Sequence, residues 1–377
     1  LPLSAPTHGT PASAPAVAMF AVTCARPSSL AKQSLFVVVV TTDGLIKERS
    51  LITEFTSTLS GDHHDGAVPV WAPDGRIGFL TNTSRGTEVQ LVDPRTRHTQ
   101  RTTIDWPVQP ALMSWLPDSR HAIVVGSMEL NSPRNELLDN TLFMLDVEGG
   151  KSSIKPIRLW NRPNESFMHP DVSPDGSKIA VVSNRTGGMR VWTGNMDGSM
   201  MRLLSPTILN RTLHVPGIPH PILARVAQKV PTWSPDGSLV AYFEGLPLDY
   251  CWDYPAACDA VQASWHVYIA NVATGKRHVV AGQHLDNPVW WPDGRVLASA
   301  DQSLMTQDKF TETTVEMPSL CPPGLRKMSP RISIYHGSEQ ITLSPSTSAQ
   351  AAPSANPPTR QYPSGQYQPG QHQPGGQ

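Results

Sequence analysis

The chain has 377 residues, of which 39 % are hydrophobic, with 30 Lys and Arg against 31 Asp and Glu. That is enough apolar material for a large core. A net charge of −1 excludes the basic stripe of a nucleic-acid binder and the polybasic cluster of an anionic-lipid binder. The longest apolar run, residues 35–40, is strand length and far too short to span a bilayer.

Residues 1–16 carry Ala5-Pro6, Thr10-Pro11 and Ala14-Pro15, cannot pack a core, and read as an extended arm. The chain opens on Leu1 with no charged or apolar leader ahead of it, so the expectation is a removed signal or a fragment. Segments 17–24, 34–40 and 45–51 read as strands.

From residue 69 one phrase recurs. Pro69-Val70-Trp71-Ala72-Pro73-Asp74-Gly75 returns as Met113-Ser114-Trp115-Leu116-Pro117-Asp118-Ser119, then as Pro170-Asp171-Val172-Ser173-Pro174-Asp175-Gly176. It returns again as Pro231-Thr232-Trp233-Ser234-Pro235-Asp236-Gly237 and Pro288-Val289-Trp290-Trp291-Pro292-Asp293-Gly294, at spacings of 44, 57, 61 and 57 residues. Proline fixes φ, Asp accepts a local backbone bond and Gly supplies a positive φ, so each phrase is a strand entering a tight turn. The third copy has Val172 in place of Trp and the second has Ser119 in place of Gly. An apolar strand follows each turn, then a third strand (89–93, 142–146, 189–192, 267–271) and a weaker fourth (202–204, 277–280). Four antiparallel strands repeated radially are a β-propeller blade. A linear stack of repeats is the rival, but solenoid β-repeats are shorter.

The phrase, its apolar second strand and the later strand ending in Asp resemble the WD40-like repeats of TolB-type six-bladed propellers. The resemblance covers about residues 66–300 and implies a fold, not a function. It implies an all-β, six-bladed TolB-like propeller over 17–344, flanked by a 1–16 arm and a Pro/Gln/Gly-rich tail at 345–377. After the fifth repeat, 331–335 and 340–343 read as a hairpin around His336-Gly337-Ser338. Strands left over at both ends are expected to build a composite sixth blade from 17–51 and 331–344, removing open edges.

Four cysteines allow three pairings. Cys251 and Cys258 bracket a six-residue loop and are expected to pair, leaving Cys24 and Cys321 to staple the two ends. The alternative is four free thiols. Sequons occur at Asn82, Asn164, Asn184 and Asn210. These, with the long insertions 127–140, 205–229 and 245–264, sort to the face opposite the Pro-Asp-Gly turns. One face is thus expected plain, the other elaborated and sugar-bearing, unless the clustering only reflects where polar residues collect.

Asp62-His63-His64-Asp65 has metal-ligand chemistry, but adjacent residues rarely chelate one ion in an extended segment, so no metal is expected there. His214 and His220 read as exposed loop residues. Trp71, Trp115, Trp233 and Trp290 recur at one repeat position, which points to packing between blades over a stacking platform. The five repeat aspartates are explained by turn chemistry. Tyr250, Trp252 and Tyr254, beside Trp265 on the cysteine-bracketed insertion, either contact a partner or fold back on their own blade. No motif for a catalytic Ser, a zinc protease, a phosphate loop or a dinucleotide appears, and no cofactor is expected.

The expected function is non-catalytic: a monomeric, secreted structural or adhesive glycoprotein. It would bind protein partners, or copies of itself in a fibre or matrix, and carry covalent glycans. Its Pro-rich arms (4–15 and 344–358) resemble those of algal and plant wall glycoproteins. The alternative is a periplasmic protein-recognition module like TolB, and a propeller lyase or hydrolase comes third.

Overall fold

A computed structural model describes residues 17–41, 44–57, 67–83, 86–104, 112–127, 140–148, 154–156, 165–204, 210–215, 218–247, 250, 253–280, 286–292, 294, 296–300, 303–308, 311–317, 319–328, 333–337 and 341–343. The first three strands, β1 (Val17–Arg26), β2 (Ser29–Thr41) and β3 (Ile46–Thr56), form one antiparallel sheet. Three four-stranded sheets come next in chain order. They are β4–β7 (Val70–Trp71, Ile77–Thr83, Gly86–Val92, Thr99–Ile104), β8–β11 (Leu112–Trp115, His121–Ser127, Asn140–Asp146, Ile154–Pro156) and β12–β15 (Phe167–Val172, Lys178–Ser183, Arg190–Asn195, Arg202–Leu203). A separate hairpin, β16–β17 (Asn210–Leu213, Ile222–Arg225), interrupts the series. Two more four-stranded sheets complete it: β18–β21 (Ala227–Trp233, Leu239–Gly245, His266–Asn271, Arg277–Val279) and β22–β25 (Asp286–Trp290, Val296–Ala300, Ser303–Asp308, Thr311–Met317). Finally β26 (Arg326–Lys327) and β27 (Ser333–Ile334) return to pair with β1.

The fold is an all-β propeller. Where six blades were expected, the structure gives five four-stranded blades of one make. The sheet containing the first and last strands is different, with five strands, of which two short segments lie along β1. The hairpin expected over 331–343 is not formed among the described residues: Ser333–Ile334 pairs with Phe20 and Ala21, and 341–343 has no strand structure. Long-range pairing with a ready-made strand outcompetes a local hairpin whose turn would have to form alone.

Hydrophobic clusters of the ring are shared by neighbouring sheets. One joins Phe20, Val22 and Val38 to Trp291, and another joins Leu35 and Val37 to Trp71, Ile77 and Phe79. The run 35–40 is therefore continuously apolar because alternate residues of β2 face different neighbours, both dry.

The turns obey their chemistry. Gly75, Ser119, Gly176, Gly237 and Gly294 each donate N–H to the carbonyl three residues back, at 2.8–3.1 Å, and all five have positive φ. At Gly176 a Cβ would also stand 2.8 Å from the Pro117 ring of the preceding turn, so glycine is needed there twice over. Asp175 accepts the Ser173 hydroxyl and the Ser177 N–H and hydroxyl, which hold its carboxyl down at about 2. Ser119 keeps a left-handed φ of 56° without being glycine. Its hydroxyl accepts the Asp74 N–H of the neighbouring turn at 3.0 Å.

Ser119 therefore separates two effects. Ser119→Ala keeps the backbone strain and strands a part-buried N–H, a loss of about 1–3 kcal/mol. Ser119→Gly loses the same bond but relieves the strain, so denaturant unfolding should rank wild type or the glycine variant above the alanine variant by about 1 kcal/mol. Gly176→Ala should lose at least about 1 kcal/mol by the same measurement.

Candidate binding site at the propeller axis

The first strands of the blades line a cavity of about 340 Å³ on the axis. Its wall comes from β4, β8, β12, β18, β22 and β27, so the repeated phrase and the returning chain end meet there. In each copy the residue before the Trp position, here Val70, Ser114, Asp171, Thr232 or Val289, lines the cavity, and Ser333 joins them.

Three of these positions follow a bulge. In β12 the pairing slips between Met168 and Asp171, in β18 between Lys229 and Thr232, and in β22 between Asp286 and Val289. Each bulge contains a proline (Pro170, Pro231, Pro288), whose missing N–H suits a position outside the ladder. His169 and Val230, which precede the first two of these prolines, both have φ of 52°. For a β-branched valine that conformation is a true outlier, costing about 1–3 kcal/mol.

A hydrogen-bond latch runs from blade to blade at this radius. Trp115 Nε1 donates to the Val70 carbonyl (3.2 Å), Trp233 Nε1 to the Asp171 carbonyl (3.0 Å) and Trp290 Nε1 to the Thr232 carbonyl (2.9 Å). A second set uses side chains as acceptors. Ser333 Oγ takes the Trp71 N–H at 2.9 Å, Ser114 Oγ the Val172 N–H at 3.0 Å, and Asp171 Oδ2 the Trp233 N–H at 2.7 Å. The Ser114 hydroxyl in turn donates to Asp171 Oδ1 at 3.4 Å. The four repeat tryptophans are 1–6 % exposed, which is the packing role their recurrence predicts.

His336 stands at the cavity wall beside Gly337. It keeps an exposed surface while protein crowds the imidazole, which disfavours the charged form. Burial pushes the ring down to about 4, so it is neutral at pH 7.

The other candidate residues lie elsewhere. Cys24 and Cys321 are joined by a disulfide (S–S 2.02 Å) that ties β1 to the segment before β26. Cys258 is disulfide-bonded, and Cys251 lies outside the described residues. Tyr250 and Tyr254 pack on a satellite core of Leu213, Val215, Ala224, Val226, Leu246, Ala257 and Val261. The Tyr250 hydroxyl accepts the Arg225 N–H at 3.0 Å. Two insertions read as loops are thus a hairpin and a short helix, α1 (Cys258–Ala263), buried against each other. The alternation Leu213, Val215 and Ile222, Ala224, Val226 was the available signal. Trp252, Asn164 and residues 62–65 lie outside the described residues. Asn82 is on β5, and Asn210 opens β16. Asn184 Oδ1 accepts the Ser166 N–H at 2.9 Å. His214 and His220 are exposed. Among the described residues no group of three or more His, Cys, Asp or Glu could hold a metal ion, and no helix is long and apolar enough to cross a membrane.

Sequence reasoning missed one buried charged group away from the cavity. Glu244 is wholly buried, and its carboxylate accepts from Arg277 (2.6 Å), Gln228 (2.8 Å) and Arg211 of the inserted hairpin (3.4 Å). A glutamate ending an apolar strand carried no local signal of these partners.

The fold and the axis define a propeller with an axial cavity walled by apolar side chains and by Ser114, Asp171, Thr232, Ser333 and His336. No protein-family profile and no curated protein matches the sequence. Among solved structures the chain is similar to TolB from Acinetobacter baumannii, with TM-score 0.56 and 16 % identity over 85 % of this chain and 66 % of that one. It is also similar to a chain of a nidogen/laminin complex, with TM-score 0.54 and 10 % identity over 85 % and 99 %. A weaker likeness, TM-score 0.49 at 15 % identity over 77 % and 74 %, is to oligogalacturonate lyase from Vibrio parahaemolyticus. At these identities the likeness is one of fold. The chain spans about two thirds of the length of that TolB.

The latch and the histidine each give a measurable outcome. Trp233→Phe should cost about 1 kcal/mol through the lost indole bond, and Trp233→Ala about 3–5 kcal/mol, in denaturant unfolding. His336 accepts a proton near pH 6.5 when unfolded but only near pH 4 when folded. The unfolded chain therefore binds more protons in that window, and stability falls as pH drops from about 6.5 towards 4. Melting curves of His336→Gln should lose that part of the slope.

Proposed function

We propose that this chain is a TolB-like protein-recognition module whose partner engages the axial end of the propeller. The observation that carries it is the use made of the polar side chains at the axis. Ser333, Ser114 and Asp171 all serve as acceptors that hold one blade to the next. A group committed to the scaffold is a poor nucleophile or base, because reaction would release the latch. What remains is a rigid apolar mouth, which suits binding.

The fold neighbours favour this reading over the adhesive glycoprotein. One is a TolB and another is a chain of a protein–protein complex. The glycoprotein reading rested on residues 1–16 and 345–377, outside the described residues, and gains no support. We count the five-stranded sheet as the closing sixth blade and pair Cys251 with Cys258 within the insertion. The Cys24–Cys321 disulfide fits an oxidising compartment, extracellular or periplasmic. The insertion with Tyr250, Trp252 and Tyr254, together with Ile218 (38 %) and Leu223 (67 %) exposed on the β16–β17 hairpin, supplies a second contact surface.

A photo-crosslinking residue placed at Thr232, on the axis, and at Val279, 51 % exposed on an outer strand, tests this in an extract of the native compartment. Adducts to polypeptide concentrated at position 232 are expected. Equal labelling at both sites, or turnover of a small substrate abolished by Asp171→Asn, would replace this reading.

A further inference from the structure

Where the inserted hairpin β16–β17 meets the sheet β18–β21, positive charge is in excess. Glu244 is wholly buried, and it is the one carboxylate paired with Arg277 (2.6 Å) and Arg211 (3.4 Å) among the described residues. Two guanidiniums facing one carboxylate leave positive charge unbalanced. Arg190, buried at the start of β14, adds to the same field. Its guanidinium is held below its usual range by burial first and also by the nearby Arg277, against the pull of Glu244.

We infer that Arg211 and Arg277, together with the Tyr268 hydroxyl, form a site for one doubly charged oxyanion, a sulfate or a phosphate group. Neither arginine lines the axial cavity, so the inference stands or falls apart from the recognition reading.

Three observations carry it. The first is spare donors. Arg277 makes its side-chain hydrogen bonds through Nη1, to the Tyr242 hydroxyl at 3.2 Å and to Glu244, so Nε and Nη2 are uncommitted among the described residues. Arg211 reaches the Tyr268 hydroxyl, Glu244 and the Ser264 carbonyl only at 3.2–3.4 Å. Those are long for charge-assisted bonds, and its Nε is uncommitted in the same sense. The second is convergence on one side chain. The Tyr268 hydroxyl accepts from Arg211, which leaves the phenolic proton to donate, and the Arg277 guanidinium lies 4.4 Å above the Tyr268 ring. The third is access. The Arg211 and Arg277 side chains are 35 % and 25 % exposed while Glu244 beneath them is sealed. An anion can therefore reach the guanidiniums at a partly buried place where charge attraction exceeds that on an open surface. A flat carboxylate meets one guanidinium fork, whereas a tetrahedral dianion offers oxygens to donors from several directions. Anchoring the hairpin to Glu244 needs only one guanidinium and leaves this surplus without a use.

The test follows the Nε–H signals of Arg211 and Arg277 by NMR at fixed ionic strength and about pH 7.5, where a phosphate group is mostly doubly charged. The titrants are sulfate, phosphate, ethyl phosphate, acetate and chloride. Sulfate and phosphate should give saturable shifts with Kd about tenfold or more below acetate and chloride. Arg211→Gln should weaken both by about tenfold or more. Glu244 keeps its shorter bonds to Arg277 and Gln228 in that variant, so the blade retains its buried pair. Tyr268→Phe, which keeps the ring beneath Arg277, should weaken them by about threefold or more and gives a second reading that spares both guanidiniums. Arg101→Gln removes the same charge from an exposed position on β7 and should change nothing. Absence of a saturable shift from both dianions, acetate binding as tightly as they do, or unchanged binding in folded Arg211→Gln and Tyr268→Phe would each overturn the inference. Ethyl phosphate binding as tightly as phosphate identifies a phosphate ester as the occupant, and its exclusion identifies the free ion. Crosslinking at position 232 should be the same in Arg211→Gln as in the wild type, so a failure here leaves the axial reading untouched.

Discussion

Neighbouring first strands of this propeller are held together by small hydrogen-bond exchanges. Between β12 and β18 an indole N–H reaches a backbone carbonyl of the strand before it, and a side chain there accepts a backbone N–H in return. The pairs β4–β8 and β18–β22 carry the indole bond, and β8–β12 the side-chain acceptor. Each neutral bond contributes only about 0.5–1.5 kcal/mol. Its importance lies in direction, because the donor is always in the later blade and the acceptor in the earlier. A row of such units would end with an unused acceptor at one end and an unused donor at the other. The returning chain end uses one of these ends, because Ser333 on β27 accepts the Trp71 N–H of β4. The disulfide works on the same problem from the unfolded side. It joins residues 297 apart in sequence, and in the chain-entropy model so long a loop contributes about 6 kcal/mol.

Buried charge is placed where it ties insertions to the ring. Glu244 sits at the end of β19 with no solvent exposure, a position that would be strongly destabilising without partners. Arg277 from the same blade and Arg211 from the inserted hairpin converge on it. Arg211 also donates to the Tyr268 hydroxyl and the Ser264 carbonyl. The hairpin is therefore anchored to β18–β21 by one guanidinium and to α1 by apolar packing. The Glu165–Arg185 pair plays a similar part near β13, with the guanidinium 5.4 Å above the Trp192 ring.

The parts of this fold that were legible in sequence are those whose cause is local. Pro-Asp-Gly makes its turn from its own residues, and all five turns formed. A tryptophan recurring at one repeat position had to be packing, since repeats share a core. The closing sheet was legible in outline only. Segments as short as Arg326–Lys327 and Ser333–Ile334 have no periodicity to read, and their strand character is imposed by β1. The satellite hairpin and helix were hidden for a related reason: each is apolar on a face that only the other covers. The axis left a trace in sequence that emerges only when the repeats are compared column by column. With the five phrases in register, Val70, Ser114, Asp171, Thr232 and Val289 share one column, and a lone carboxylate stands out there.

That column also explains why the protein tolerates strain at its centre. In β8 the column residue Ser114 lines the lumen from a strand in unbroken register, whereas β12 and β18 reach the same position through a bulge. The bulge at His169-Pro170 and its counterpart at Val230-Pro231 add one residue and rotate the rest of the strand. Positions 171 and 232 then turn to the lumen while Trp233 turns to the interface. Left-handed backbone at a histidine and a valine costs stability that a glycine would largely spare. Glycine, however, would loosen the strand just before the residue that must both latch to the next blade and face the cavity. A stiff proline after a strained residue fixes that direction within a narrow range. The same local distortion thus serves the ring's integrity and the charge at its axis, which is why Asp171 belongs to the scaffold and to the site at once.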